Sequence, residues 1–508
     1  MPQETELKLS LRPQDLPRLL AHPLLQGQAP HVQRLFNTYY DTPNLALMAQ
    51  RVAVRERRIG RRTLLTVKTA GQSAGGLSQR GEWEGPTRTG QFGFEALVGD
   101  QALAQSLSQL AWQLVPVFRT DFVRRSWRIG HAGAQIEVAL DRGSITTGDG
   151  QGPRCEPLLE LELELLDGPV DALLDLAHSL ALGPEGDAAS GLWLHPSDRS
   201  KAERGLALFL GRPPEAVRAG PVRLRPGMTP AQAFRAVALD CLTQLQANAG
   251  ALLAQPDGPG LPDPEFIHQA RIALRRLRSA LRLFAPWLPA RFVRHWSSVW
   301  RARTRALDAA RDWDVLGSEG LPAWGGDAVD SALQDWMLAR RREALANART
   351  SLTDPAQALD LLAFTRALLA LDSATAPAVE GALSSWARRT LRRQHERLLR
   401  DALRALQGSA AERHALRLQF KRLRYAQEFL ADLLPTRRQQ RQTALLTRCQ
   451  SLLGQLNDLA VARRLLAEVP TDHLSGRARL LERLQRQENR CLAKLPALES
   501  ELLQAPGP

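Results

Sequence analysis

The sequence predicts an α+β chain: an antiparallel sheet of about eight strands first, then an all-α part built from two repeated four-helix units. Three observations predict it. Segments up to about residue 166 alternate apolar and charged residues with period two, the period of a strand. From about 229 onward apolar residues recur at helical spacing in a text dominated by Ala, Leu and Arg. Between them lies GRPPEAVRAGPVRLRPG, 211–227, whose Pro and Gly read as a linker. The expected division is a strand domain at 1–210, the linker at 211–227 and a helical domain at 228–508.

The strands are read in order. Glu4, Glu6 and Lys8 alternate with Thr5, Leu7 and Leu9. Further strands are expected at 36–41 (FNTYYD), 51–58 (RVAVRERR), 63–69 (TLLTVKT), 79–84 (SQRGEW), 117–128 and 134–141 (AQIEVALD). In LLELELELL, 158–166, Glu160, Glu162 and Glu164 share one face only if the segment is extended, because a helix would turn Glu162 away from the other two. The helical part reads as roughly eight helices, with Pro and Gly clustered between runs, for example at 256–264.

Composition narrows the class. The length of 508 residues suggests about two to four domains. With 44% hydrophobic and 24% charged residues the chain is globular and not disordered. No segment approaches the roughly 18 apolar residues of a membrane span. The opening MPQETELK is acidic, which predicts no secretory signal. Cys155, Cys241, Cys449 and Cys491 are scattered without a CxxC pair, against a zinc site or a disulfide framework, so a reducing cytoplasm is expected.

The net charge of +14 is uneven. Residues 1–215 hold 23 basic and 25 acidic residues, a net of −2; residues 216–508 hold 44 and 28, a net of +16. Such asymmetry suggests that one part binds polyanions. The basic residues are 62 Arg and only five Lys: Lys8, Lys68, Lys201, Lys421 and Lys494. A chain that uses Arg almost everywhere hints, by a retained Lys, at a site that wants a compact ammonium.

Antiparallel sheets usually turn charge to solvent. Here the acidic pair Glu4 and Glu6 lies on the first strand and an acidic triplet on the last, with cations on the middle ones: Arg55 with Arg57, Thr66 with Lys68, Arg80 with Glu82 and Glu84. If the sheet closes into a barrel, these faces would line a polar lumen. Carboxylates there suit a hard cation such as Mg²⁺, while Arg and Lys suit phosphate oxygens.

These residues carry a resemblance. Glu4-x-Glu6-x-Lys8 resembles the ExExK signature of the CYTH family of triphosphate tunnel metalloenzymes, and NTYYDTP (37–43), VRERR (54–58), LTVKTAG (65–71), GGLSQRGEWE (75–84), FRTDFVRRSW (118–127), QIEVALDRG (135–143), CEPLLELELELLDG (155–168) and SDRSKAERG (197–205) follow in order over about residues 1–210. It looks closest to the bacterial two-domain inorganic triphosphatases. The resemblance implies an eight-stranded tunnel hydrolysing triphosphate to diphosphate and phosphate with Mg²⁺ or Mn²⁺. It implies Glu4, Glu6, Glu160, Glu162 and Glu164 as metal ligands. Lys8, Lys68, Arg55, Arg57, Arg80 and Arg124 would grip the triphosphate, and Lys201 would close on it from a helix. Glu82, Glu137 and Asp141 would position substrate, metal or water. Alternation across 117–128 is imperfect, so Arg124 fits either face. Thiamine triphosphate, a nucleoside triphosphate, or ATP for cyclisation would use the same tunnel, and a non-catalytic polyphosphate-binding scaffold is the non-enzyme alternative. No P-loop is present.

The helical part repeats. His268, Arg271, Arg275 and Arg278 recur as His414, Arg417, Lys421 and Arg424, and Asp312 recurs as Asp458, at an offset of 146 residues. The spacing i, i+3, i+7, i+10 places each set on one helical stripe. Same-sign charges stacked along a stripe repel, and a polyanion would relieve the repulsion. This region, about 229–500, resembles a CHAD domain, a family associated with inorganic polyphosphate, which implies that these eight residues hold phosphates. Few aromatics interleave with the Arg stripes, which argues against single-stranded nucleic acid. The expected location is cytoplasmic, with association to polyphosphate granules.

Overall fold

The computed structural model describes residues 3–69, 71–148, 152–187, 191–254, 262–325, 329–371, 382–434, 436–470 and 474–504. The chain divides into two compact units. One is Met1–Ala216 with Thr353–Leu369; the other is Val217–Leu352 with Ala370–Pro508.

The first unit is built on strands β1 (Gln3–Leu11), β2 (His31–Asp41), β3 (Ala53–Ile59), β4 (Arg62–Lys68), β5 (Gln72–Ala74), β6 (Leu77–Thr87), β7 (Val115–His131), β8 (Ala134–Thr147), β9 (Cys155–Asp167) and β10 (Leu194–Pro196). Eight of them close a barrel in the order β1-β9-β8-β7-β2-β3-β4-β6, and β6 returns to β1 by pairing Leu77–Gly81 with Gln3–Leu7. Every pairing is antiparallel. The short strands β5 and β10, which period-two reading does not reveal, add to β6 and β1. β7 and β8 run well beyond the stretches expected at 117–128 and 134–141.

This barrel inverts the usual alternation. Leu7, Leu9, Leu161 and Leu163 point outward yet have no exposed surface, because helix α1 (Asp171–Ala181) lays Leu173, Leu176 and Leu180 over them. Each such side chain contributes about 1.5–3 kcal/mol of burial. The charged faces of β1 and β9 are thereby turned into the lumen. A second helix, α2 (Lys201–Phe209), starts at a capping box in which Ser200 and Glu203 satisfy each other's backbone donors. At Gly205 it runs so close to the sheet that an added Cβ would lie 2.1 Å from the Phe118 ring.

The second unit begins at Val217, within 211–227, a stretch that carries no helix or strand. Its helices are α3 (Pro230–Ala254), α4 (Pro264–Phe284), α5 (Ala290–Arg305), α6 (Asp308–Val315) and α7 (Ser331–Leu352). The chain then passes to α8 (Pro355–Leu369), which packs on α1 and β10 in the first unit and buries Leu359 and Leu362 in the core that contains Leu7 and Leu173. It continues in the second unit with α9 (Ala382–Gln407), α10 (Ala410–Phe429), α11 (Thr436–Leu466), α12 (Leu474–Leu492) and α13 (Leu495–Gln504). Helices α4 and α10 start at 264 and 410, the offset of 146 seen in the sequence. They pack against each other, and α4 also packs on α3, as α10 does on α9. Of the Pro and Gly cluster at 256–264, residues 256–261 lie outside the described residues. No described helix is long and apolar enough to cross a membrane. All four cysteines are free thiols.

Candidate active site

The barrel encloses a cavity of about 570 Å³ whose lining includes the alternating charged positions of β1, β3, β4, β6 and β9. Strand register dictates who meets whom. β1 sets Glu6 opposite Glu164, Lys8 opposite Glu162 and, on its other side, Glu4 opposite Arg80. β4 and β6 pair Lys68 with Glu82 and Thr66 with Glu84. β7, β8 and β9 bring Arg124, Asp141 and Glu160 into one row.

The contacts follow. Lys68 Nζ lies 2.6 Å from Glu82 and 3.0 Å from Glu4. Arg80 donates to Glu4 at 3.1 Å and to Glu6 at 2.6 Å. Lys8 Nζ sits 3.6 Å from both Glu6 and Glu162. Arg124 faces the lumen and grips Asp141 with two 2.7 Å bonds and Glu162 with one of 2.6 Å, which decides the orientation that the imperfect alternation left open. Lys201, at the first turn of α2, reaches Glu160 at 2.5 Å, Asp141 at 2.7 Å and Glu162 at 3.0 Å, and its ammonium lies over the Phe122 ring. Arg204, one turn on, holds Glu160 and Glu156 and so anchors α2 to β9.

Opposite these, Arg55 and Arg57 are held differently. Arg55 donates to the Tyr39 hydroxyl at 3.3 Å, and its carboxylate neighbours Glu82 and Glu84 are 3.8 and 4.0 Å away. Arg57 donates to the Asn37 amide oxygen at 3.0 Å. Tyr39, stacked on Phe118, and Glu84, which accepts from Thr66, also line the cavity. Glu84 belongs to the charged face expected of its strand, whereas Tyr39, Asn37 and Arg204 were not singled out in the sequence. The period-two set Asn37, Tyr39, Asp41 within NTYYDTP would have flagged the first two.

Burial sharpens the electrostatics. Burial opposes ionisation of Glu162, but Lys201, Arg124, Lys8 and Lys68 outweigh it and hold the carboxyl well below its usual range. Burial likewise opposes the charge on Lys8, Lys201, Arg80 and Arg124, yet their carboxylate partners keep each firmly protonated. Glu164 behaves otherwise: burial, then Glu4 and Glu137, push it up to about 7. Glu137, Glu82 and Glu164 all line the cavity; Glu160 and Asp141 are buried beside it, behind Lys201.

Carboxylate oxygens of Asp141, Glu160 and Glu162 lie within 4.8 Å of one another. An all-oxygen, anionic donor set of this kind fits a hard divalent cation, and it already gathers the Lys201 ammonium. Glu4 and Glu6 line the same cavity but are engaged by Lys68 and Arg80.

In the helical unit the two stripes partly converge. Arg271 and Arg275 of α4 and Arg417 and Lys421 of α10 lie near enough that their cations lower the proton affinity of Arg275, Arg417 and Lys421. Burial, then the neighbouring Arg275, Arg417 and Arg271, pushes Lys421 down to about 6; burial and Arg271 and Arg417 take Arg275 to about 10. Arg271 also bonds Asp308 at 2.8 Å. Arg278 faces Arg301 and Arg305 of α5, residues the stripe pattern did not include. His414 bonds Asn457 at 2.9 Å, and Arg424 lies over the Tyr425 ring. Burial, then Arg311, lowers the His268 imidazole.

Comparisons with known proteins agree with this division. Residues 2–189 match the CYTH domain and residues 236–467 the CHAD domain. A protein of Haemophilus influenzae named inorganic triphosphatase is 34% identical over 223 residues, which cover 41% of this chain and 55% of that protein. The chain thus spans about half the length of the curated relative it matches. Among solved structures, the CHAD domain from the plant Ricinus communis shares 28% identity, covering 58% of this chain and 98% of that one, with a TM-score of 0.46. The PH1819 protein from Pyrococcus horikoshii shares 18%, covering 40% and 98%, with a TM-score of 0.25. The closed barrel with its inward acidic and basic strands, followed by a helical unit with paired cationic stripes, therefore belongs to a chain composed of a CYTH domain and a CHAD domain.

Proposed function

We propose that the barrel unit is a divalent-metal-dependent hydrolase of inorganic triphosphate, releasing diphosphate and phosphate, and that the helical unit binds inorganic polyphosphate. The single observation that carries the first half is the lumen itself, where carboxylates and Arg or Lys side chains from several strands face one cavity. That pairing suits a metal–phosphate complex and little else. The relative named inorganic triphosphatase supports the choice of substrate.

Mg²⁺ or Mn²⁺ would be held by carboxylates among Asp141, Glu160, Glu162, Glu164, Glu4 and Glu6, and would supply charge neutralisation and polarisation of phosphoryl oxygens. The chain's own residues do the rest. Lys8, Lys68, Arg80 and Arg124 bind phosphate oxygens, and Arg55 and Arg57 stabilise charge that develops on the equatorial and leaving oxygens. Lys201 and α2 cover the cavity and orient the substrate. Glu82 and Glu137 orient a water or substrate oxygen. No covalent intermediate is required. A nucleotide-specific site would need a base pocket beside the phosphates, and the substrate panel below tests for one.

The cation set Arg271, Arg275, Arg417 and Lys421, with Arg278, His268, His414 and Arg424 along the same stripes, is the proposed polyphosphate surface. The mutual repulsion that lowers Lys421 and Arg275 supports that reading.

The test is phosphate release from triphosphate with Mg²⁺ or Mn²⁺, beside thiamine triphosphate, ATP and polyphosphate. Glu4→Gln and Lys8→Ala are expected to lose most turnover. Unchanged turnover in both sinks the tunnel assignment, and cyclic AMP or thiamine diphosphate as the main product replaces the substrate. Polyphosphate competed against DNA at several salt concentrations tests the helical unit, since both release counterions.

A further inference from the structure

We propose that Asn37 is a positioning residue for the triphosphate site: its side-chain amide aims the Arg57 guanidinium into the lumen while leaving the cation's charge available to a phosphate group. The proposal rests on the triphosphatase reading above and deepens it.

The geometry is that of three adjacent strands at one level. β2 pairs Asn37 with Arg57 of β3 on one side and with Thr120 of β7 on the other. Asn37 and Thr120 have no exposed surface. Arg57 Nε donates to Asn37 Oδ1 at 3.0 Å, and Asn37 Nδ2 donates to Thr120 Oγ1 at 2.8 Å. A guanidinium only donates, so the amide must present its oxygen to Arg57 and its NH₂ to the Thr120 hydroxyl. Thr120 therefore locks the amide, and the amide locks the guanidinium.

The choice of a neutral acceptor is what matters. Lys68, Arg80, Arg124 and Lys201 each lie 2.5–3.1 Å from one or more carboxylates. Glu84, the carboxylate beside Arg57, is 3.5 Å away and already accepts from Thr66 at 2.8 Å. Burial, then Arg55, lowers the Arg57 guanidinium to about 10, whereas Arg80 and Arg124 are raised by their carboxylates. Arg57 is thus oriented by a dipole, and its carboxylate neighbour Glu84 stands farther off, at 3.5 Å, than the carboxylates that hold Lys68, Arg80, Arg124 and Lys201. Its neighbour Arg55 also donates to a neutral group, the Tyr39 hydroxyl at 3.3 Å, with Glu82 and Glu84 at 3.8 and 4.0 Å. The cavity has a carboxylate-rich wall on β1, β6, β8 and β9, suited to metal. It also has an arginine wall on β3, steadied by β2, suited to phosphate oxygens that no metal covers.

The experiment uses full-length protein with Asn37→Asp and Asn37→Ala. Triphosphate binding is read by calorimetry, turnover by phosphate release, and folding by thermal melting. Asp is nearly isosteric with Asn and keeps an acceptor towards Arg57, but it neutralises the cation. A purely structural Asn37 would tolerate Asp better than Ala. The positioning role reverses that order for substrate: N37D weakens binding and raises KM by about tenfold or more. N37A keeps most of the affinity and loses kcat by about tenfold as Arg57 swings free. The proposal is overturned if N37D binds triphosphate like the wild type, or if N37A loses more affinity than N37D. Should N37D not fold, N37A with wild-type kcat overturns it alone. A wild-type protein that binds triphosphate without hydrolysing it removes the activity reading, and the order of the two affinities still decides the role of Asn37.

Discussion

Lys201 and Asp141 form an ion pair 2.7 Å long in which the carboxylate has no exposed surface and the ammonium very little. They come from different structures, the first turn of α2 and the middle of β8, and Arg124 holds the same carboxylate from a third. Removing one partner of such a group leaves buried charge uncompensated, at a cost of about 3–5 kcal/mol. Asp141→Asn is therefore expected to lower the urea midpoint of the barrel unit by a clear margin. Adding Lys201→Met to Asp141→Asn should not recover that loss, because Glu160 and Glu162 then lose the ammonium that lies 2.5 and 3.0 Å from them. An unshifted midpoint in the single variant would mean that the pair is solvated.

The close approach of α2 gives a second prediction. Gly205→Ala would place a methyl group 2.1 Å from the Phe118 ring, and overpacking of this kind costs about 1–3 kcal/mol. The helix that carries Lys201 and Arg204 is expected to lift from the sheet, with triphosphate KM rising. Phe118→Leu in the same chain should restore part of it. Wild-type KM for Gly205→Ala would show that α2 can shift without cost.

The third concerns α8. Leu362 lies in the core of the barrel unit although its sequence position is between helices of the other unit. Leu362→Ala is expected to destabilise the barrel unit by about 2–5 kcal/mol. A fragment ending at Ala216 should melt lower than one in which 353–369 is joined back by a flexible linker. Equal melting of the two fragments would show that α8 adds nothing to the barrel.

The fourth is a pH dependence. Burial and neighbouring Arg275, Arg417 and Arg271 push Lys421 down to about 6, against an ordinary value of 10.5. Between these values the unfolded chain binds the extra proton, so stability contributed at this site falls as pH drops from about 10 to 6. Lys421→Met should raise the melting temperature at pH 6 and have little effect above pH 10. A polyanion reverses the sign: it favours the charged ammonium, so binding takes up a proton and weakens as pH rises above 6. Calorimetry of polyphosphate binding in two buffers of different ionisation heat measures that proton. Zero uptake at pH 7.5 would contradict it.

Much of the barrel was legible because its information is local. Glu160, Glu162 and Glu164 announce a strand by their spacing alone, and β9 carries them. The retained lysines were informative too. Lys8, Lys68 and Lys201 all line the cavity, and Lys421 lies in the cationic cluster of the helical unit. Less legible was Asp141, given a minor place in the sequence because a single carboxylate in QIEVALDRG lacks a pattern. Its importance arises from the register that sets it opposite both Arg124 and Glu160. Asn37 and Tyr39 were passed over because uncharged side chains do not stand out in a charged alternation.

Periodicity, composition and the 146-residue offset are properties of neighbours and of copies, so the linear chain alone already specified strands, helices and the two cationic stripes. It did not specify which carboxylates converge, that the leucine faces lie outside the barrel under α1, or that α8 joins the barrel unit. Those depend on pairings between residues more than a hundred positions apart, such as Lys8 with Glu162 and Leu362 with the core around Leu7. Strand register and helix docking are chosen by the total buried surface and paired charge of the folded chain, and no local segment contains that sum.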